Sequence, residues 1–237
     1  MRPAIVDEDA EGIKMACETM LVSTIEGILS PSELDDIISR IEGTLSHRRE
    51  EFTVAARSRS VHGIDGHGVE RAKEVYEPSG RIEFDELPVD IAELMEEAVR
   101  RRLPDIRRVY PHVRRSMDWF YVEYDLGQFV TPHVDYPFNA MNPDQPKIAA
   151  ISVTLKAAIA GGEFFVDTSS DATIWTPEGT VRRGADEHSD WFRAMRRTRW
   201  RVKAAPGDAI CWGTELVHGT EPVNAGSARK LIAFLAA

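Results

Sequence analysis

The chain has 237 residues, with 29 Lys and Arg against 39 Asp and Glu for a formal charge of −10, and 43% of its residues are hydrophobic. No run approaches the roughly 18 apolar residues of a bilayer span, the first residues lack the hydrophobic core of a secretion signal, and phosphate neutralisation needs a basic surplus that is missing. A soluble, cytoplasmic protein with neither membrane nor nucleic-acid partners is therefore expected. Cys17 and Cys211 are too few for a disulfide framework or a thiolate zinc site, so any metal must be held by histidine and carboxylate.

In chain order, residues 25 to 45 read as a helix with its own start signal. Ser30-Pro31-Ser32-Glu33 offers an N-cap, a proline in the first turn and an acid at the third position, before Leu34, Ile37, Ile38 and Ile41 recur at helical spacing. Residues 57 to 68 read as a loop; its glycine content argues against a metal role for His62 and His67. Ile91, Leu94, Met95, Ala98 and Val99 predict a second helix that follows Pro88 and closes before Pro104. From 117 onward the character changes to short β-prone runs: Trp119 to Tyr124, Phe129 to Tyr136, Ile148 to Ala158, Glu163 to Asp167, Arg199 to Ala204, Ala209 to Trp212 and Leu231 to Leu235. The fold expected is mainly β with supporting helices, a double-stranded β-helix of jelly-roll or cupin-like type. It is read as one domain over 1–237, with a helical support in 1–116 and the jelly-roll core in 117–237. Within the core, 167–198 is a lid-like insertion carrying Trp175, Trp191, Phe192 and several arginines. The arginine clusters at 100–115 and 182–201 read first as solvated, ion-paired faces, although Arg193, Arg196 or Arg197 in the insertion could meet an anionic substrate.

Successive strand residues alternate faces, so a His-x-Asp triplet on a strand presents an imidazole and a carboxylate side by side. Chance alone supplies roughly half an occurrence in a chain of this composition, and two are present. His133-Val134-Asp135 lies in a β-prone run where Phe129, Thr131, His133 and Asp135 share a face, whereas His188-Ser189-Asp190 sits among carboxylates and reads as an exposed loop. His218, after the Pro206-Gly207-Asp208 turn and the strand that follows it, is the candidate third ligand. Two histidines and one carboxylate leave three adjacent positions open, the arrangement of non-haem Fe(II) oxygenases. On the last strand Arg229, Leu231, Ala233 and Leu235 share one face, and Lys230, Ile232 and Phe234 the other. A buried Arg229 would require an anion such as a carboxylate; an edge-strand arginine in water fits the pattern equally.

Tyr124-Asp125-Leu126-Gly127-Gln128 and Pro132-His133-Val134-Asp135-Tyr136 resemble the Tyr-x-x-Gly-Gln and Pro-His-x-Asp-Tyr signature of the prolyl-4-hydroxylase-like branch of the Fe(II)/2-oxoglutarate-dependent dioxygenases. Gly161-Gly162-Glu163, Pro206-Gly207-Asp208-Ala209, His218-Gly219 and a basic residue at the start of the last strand follow in the order of that family. The resemblance implies His133, Asp135 and His218 as iron ligands, Arg229 as the clamp on the distal carboxylate of 2-oxoglutarate, and Tyr124 as a hydrogen-bonding partner of that carboxylate. It further implies Fe(II), 2-oxoglutarate and O2 as cofactor and co-substrates, with release of succinate and CO2. Asp135 stands where related halogenases have Gly or Ala, which implies hydroxylation rather than halogenation. Two departures, Arg229 where prolyl hydroxylases use Lys and Phe164 where they use Thr after Gly-Gly-Glu, weaken the case for a peptidyl proline, and a small-molecule substrate, anionic if the insertion arginines meet it, is the leading reading. A hydroxylase of a protein or peptide side chain is the alternative, and a non-catalytic cupin-like binding protein the third.

Overall fold

The computed structural model describes residues 18–58, 62, 67–135, 146–169 and 196–237. Strand β1 (Val22–Ile25) precedes helix α1 (Pro31–Leu45), a short 3-10 turn (Arg49–Phe52) and helix α2 (Val69–Tyr76); strand β2 (Ile82–Phe84) leads into helix α3 (Val89–Val109). The strands that follow are β3 (Arg115–Tyr124), β4 (Val130–His133), β5 (Lys147–Lys156), β6 (Ala160–Gly161), β7 (Phe164–Ser169), β8 (Arg197–Val202), β9 (Ala209–Gly213), β10 (Val217–Thr220), β11 (Val223–Ala225) and β12 (Ala228–Ala236). Six strands form a major sheet in the order β1-β9-β5-β12-β3-β2, four form a minor sheet in the order β4-β10-β7-β8, and β6 pairs with β11. This is the double-stranded β-helix expected from the sequence.

Helix α1 starts at the predicted Ser30-Pro31-Ser32-Glu33 signal and not at residue 25, because Ile25 ends strand β1. The Ser30 hydroxyl accepts from the Glu33 amide while the Glu33 carboxylate accepts from the Ser30 amide, a reciprocal capping box that satisfies two of the donors orphaned at a helix start. Ile37, Ile41 and Leu45 of α1 and Ile91, Met95, Ala98 and Val99 of α3 then pack on one face of the major sheet, against Ile151, Val153, Leu231, Ala233 and Leu235. Each large aliphatic side chain buried there contributes about 1.5–3 kcal/mol. α3 does not stop before Pro104 but runs through it to Val109. A proline in a helix interior costs about 3 kcal/mol. Ile106 and Tyr110 beyond it are 1% and 0% exposed, and the Tyr110 hydroxyl lies 3.0 and 3.1 Å from the Leu21 and Cys211 carbonyls. Tertiary packing outweighs the local penalty.

The other face of the major sheet looks toward the minor sheet, and the site lies between them. Antiparallel register sets its floor plan in rows of Phe234, Ala150 and Trp212, then Ile232, Ser152 and Ile210, then Lys230 and Thr154. Opposite, one row of the minor sheet runs His133, His218, Val166, Trp200. The Pro206-Gly207-Asp208 turn forms as expected, with Gly207 at φ 88°, a left-handed conformation that glycine adopts without strain.

Candidate metal centre

His133 and His218 sit directly opposite each other on paired strands, so both imidazoles leave the sheet on the same side, with ring centroids 4.4 Å apart. β4 is an edge strand, which is why Pro132, lacking an amide hydrogen, is tolerated immediately before the first histidine. β10 can approach β4 this closely because Gly219 follows His218: a β-carbon there would come within 2.7 Å of the Val130 carbonyl and 2.5 Å of the Phe165 ring.

Asp135 closes the triangle. Its Oδ1 is 3.9 Å from His133 Nε2 and its Oδ2 is 3.5 Å from His218 Nε2. Each histidine places Nδ1 against a backbone carbonyl two residues earlier, Thr131 at 2.8 Å and Leu216 at 2.9 Å. A carbonyl can only accept, so Nδ1 carries the hydrogen and Nε2 presents its lone pair toward Asp135. Burial, reinforced by the neighbouring His62 and His218, holds the His133 imidazole well below its ordinary pKa and therefore neutral, as a ligand must be. From the opposite sheet Trp212 Nε1 donates to Asp135 Oδ2 at 2.9 Å, which orients the carboxylate. This donor set, neutral imidazoles with fixed tautomers around a buried, oriented carboxylate, fits a divalent transition metal.

The structure brings a fourth donor here. Ligand atoms of His62, His133 and Asp135 all lie within 4.8 Å of one another, and the His62 ring meets His133 edge-on at 4.3 Å and Tyr76 at 4.8 Å. The glycine content that argued against His62 concerns its neighbours in sequence; buried rings from two other elements hold the side chain itself. His67 is exposed and lies outside this cluster.

Arg229 is not in the pocket. Its Nη1 donates to Glu42 at 2.7 Å and its Nε is 3.6 Å from Glu123, on the helix-covered face of the major sheet. The residue beside it, Lys230, lines the pocket two rows below Trp212, together with Tyr124 and Arg81. Arg81 Nη1 donates to the Tyr124 hydroxyl at 2.9 Å, and Lys230 Nζ stands 5.5 Å from the Tyr124 ring centroid. Arg81 is neutralised by Glu83 at 2.5 Å and Glu77 at 3.3 Å. Lys230 is 7% exposed and has no carboxylate partner within ion-pair distance among the described residues. Burial, aided by the Arg81 charge, pushes its ammonium down to about 8.

Of the insertion, residues 170–195 lie outside the described residues, and with them Trp175, Trp191, Phe192, Arg193 and the second His-x-Asp triplet at 188–190. Arg196 is exposed, and Arg197 lies 3.9 Å from Asp167.

Residues 23–231 match the family model for phytanoyl-CoA dioxygenase. The chain belongs to this family. As a phytanoyl-CoA dioxygenase-family protein it is a 2-oxoglutarate-dependent dioxygenase, and the family works with Fe(II) and 2-oxoglutarate. No curated protein sequence matches it. Its fold is shared with SnoK, a non-haem α-ketoglutarate-dependent carbocyclase of nogalamycin biosynthesis, at 14% identity over 95% of this chain and 83% of that one, with a TM-score of 0.58. HygX of Streptomyces hygroscopicus, solved with nickel and 2-oxoglutarate, aligns at 12% identity over 98% and 87%, TM-score 0.56. A viral collagen prolyl hydroxylase of Paramecium bursaria Chlorella virus-1 aligns at 16% identity over 93% and 98%, TM-score 0.51. Among the described residues no helix is long and apolar enough to cross a membrane.

Proposed function

We propose that this dioxygenase oxidises a C–H bond of a small molecule bearing an anionic group, with His133, Asp135 and His218 holding Fe(II) and Lys230 holding the distal carboxylate of 2-oxoglutarate. The observation that carries this reading is the pairing of three converging donors with a buried ammonium, without a carboxylate partner among the described residues, deeper in the same pocket. Lys230 is four residues further down the strand than Phe234, roughly 13 Å at strand rise, which leaves room for an elongated dicarboxylate between metal and lysine. The Tyr124 hydroxyl accepts from Arg81 and keeps its own hydrogen to donate to the same carboxylate. When bound, the iron supplies oxygen activation coupled to decarboxylation of the co-substrate. The residues of this chain fix the tautomers, exclude water with Phe164, Trp212 and Phe234, and seat the two organic molecules.

The substrate side is marked by Lys147. Its Nζ stands 3.8 Å over the Phe234 ring, and among the described residues it has no carboxylate within ion-pair distance. Asp135, the carboxylate whose charge favours the ammonium, is committed to the histidines and Trp212. Trp200, 65% exposed in the same register row as His218, offers a flat wall for an apolar or ring-shaped body. Small-molecule enzymes stand among the fold relatives: SnoK is a carbocyclase, and HygX has been solved with hygromycin B bound.

Anaerobic titration with Fe(II) and 2-oxoglutarate tests the centre. The wild type is expected to develop the weak visible charge-transfer band of the iron-bound keto acid, and His133→Ala to lose it. An undiminished band in His133→Ala would refute the ligand assignment. A screen of small anionic compounds and peptides for stimulated succinate release tests the substrate class; stimulation by peptides alone would overturn it.

A further inference from the structure

We infer that Arg81 is a positioning residue for the co-substrate: locked by two buried glutamates, it turns the Tyr124 hydroxyl so that its hydrogen meets the distal carboxylate of 2-oxoglutarate. The inference rests on the co-substrate pocket proposed above and gives the helical support region a part in it. Strand register brings the pair together. Ile82 of β2 lies opposite Glu123 of β3, so Arg81, one residue earlier, comes opposite Tyr124, one residue later, and both line the pocket with Lys230. In the next row Glu83, Val122 and Lys230 are neighbours across three strands.

Arg81 is fixed by the protein itself. Its Nη2 donates to Glu83 Oε2 at 2.5 Å and its Nε stands 3.3 Å from Glu77, while Arg57 pairs with the same two carboxylates, its Nη1 lying 2.8 Å from Glu83 Oε1. These four buried side chains form a closed ring of two cations and two anions, in which each charge is compensated. Nη1 of Arg81 leaves the ring and donates to the Tyr124 hydroxyl at 2.9 Å. A guanidinium only donates, so the phenol must direct its own hydrogen elsewhere, and among the described residues no acceptor stands within hydrogen-bonding distance of it. The opening left to it is the pocket, where the Lys230 ammonium likewise has no carboxylate partner among the described residues. Without Arg81, the Glu83 carboxylate would compete for that hydrogen and draw it away from the pocket.

Calorimetric titrations of the full chain, loaded anaerobically with Fe(II), test this without turnover. The two probes are 2-oxoglutarate and oxalate, which chelates a metal but has no distal carboxylate. Arg81→Gln should weaken 2-oxoglutarate binding by roughly ten- to a hundred-fold, the value of a hydrogen bond to a charged group, and leave oxalate binding within about two-fold. Because that change unbalances the buried ring, Arg81→Gln is also combined with Glu83→Gln, which removes one charge of each sign, and the same split between the two acids is expected. Tyr124→Phe leaves the ring intact and should lose a similar factor. Adding either Arg81 variant to Tyr124→Phe should then cost less than about two-fold more, since the two residues act as one unit. Unchanged 2-oxoglutarate affinity in the Arg81 variants or in Tyr124→Phe, losses that multiply between them, or equal weakening of both acids would overturn the role of Arg81. Wild-type 2-oxoglutarate affinity in Lys230→Met, or oxalate binding that persists in His133→Ala and His218→Ala, would instead refute the pocket on which the inference rests.

Discussion

Lys230→Met separates function from stability in a way that few substitutions can. In the folded protein burial lowers the Lys230 ammonium from its ordinary 10.5 to about 8. At about 1.4 kcal/mol per tenfold change, the charge costs the empty protein roughly 3 kcal/mol. Methionine fills similar volume with no charge, so the variant is expected to be more stable by up to that amount. For a chain of this length that corresponds to a rise in Tm of roughly 5–10 °C by scanning calorimetry. The same substitution removes the partner of a buried carboxylate, a loss of about 2–5 kcal/mol, and 2-oxoglutarate affinity should fall by a factor of roughly 30 to several thousand by calorimetric titration. The pH dependence follows from the direction of the shift. Between about pH 8 and 10.5 the unfolded chain keeps a proton that the folded chain has released, so wild-type stability should rise with pH across that window, and this rise should vanish in Lys230→Met. Arg229→Met is the control. It loses an ion pair with Glu42, whose side chain is 58% exposed, worth less than about 1 kcal/mol, and a longer contact with buried Glu123, which keeps Arg49 and Tyr121 as partners, and should keep 2-oxoglutarate binding. If Arg229→Met abolishes binding while Lys230→Met retains it, the assignment of the two faces of β12 is wrong.

Trp212→Phe removes the one indole hydrogen bond to Asp135, and metal affinity measured against a competing chelator should drop about 10–100-fold with the fold intact; unchanged affinity would show that the bond does not orient the carboxylate. Lys147→Gln should raise KM for the substrate identified by the screen about ten-fold or more while leaving 2-oxoglutarate affinity within two-fold, and an unchanged KM would remove the anionic-group reading. Ser30→Ala opens the capping box of α1 and should lower stability by about 1 kcal/mol in denaturant titration, without effect on metal binding; a change below about 0.3 kcal/mol would show that the cap is solvated in practice.

Much of the barrel was legible because its strands are short, β-branched and bounded by turn residues, and the helix start at Ser30-Pro31-Ser32-Glu33 was legible because capping chemistry is local. The His-x-Asp triplet at 133–135 could be separated from the one at 188–190 by the β-prone residues around it, and His218 could be placed relative to the turn at 206–208. What alternation could not decide is which face of β12 looks into the pocket. The strand is buried on both sides, Leu231, Ala233 and Leu235 under the helices and Ile232 and Phe234 in the barrel, so both faces are apolar and hydrophobic pattern carries no polarity signal. That single ambiguity decides that Arg229 lies under the helices and Lys230 in the pocket, and with it which of the two is proposed to meet 2-oxoglutarate. Short elements such as β1, β2 and β10 escaped because three or four residues hold too little periodicity, and α3 outran Pro104 because its end is fixed by partners distant in sequence. His62 was missed for the same reason: its place is set by Tyr76 and His133, not by its neighbours along the chain.

The hydrogen bond from Trp212 to Asp135 joins the major sheet to a residue carried by the minor one. The proposed iron would thus be held from both halves of the sandwich, by imidazoles on one wall and by a carboxylate steadied from the other. Its ligand field is therefore a gauge of the gap between the walls. A bound ligand or a remote substitution that wedges the sheets apart by a few tenths of an ångström would register in the colour of a cobalt-loaded sample, so the protein carries its own internal ruler.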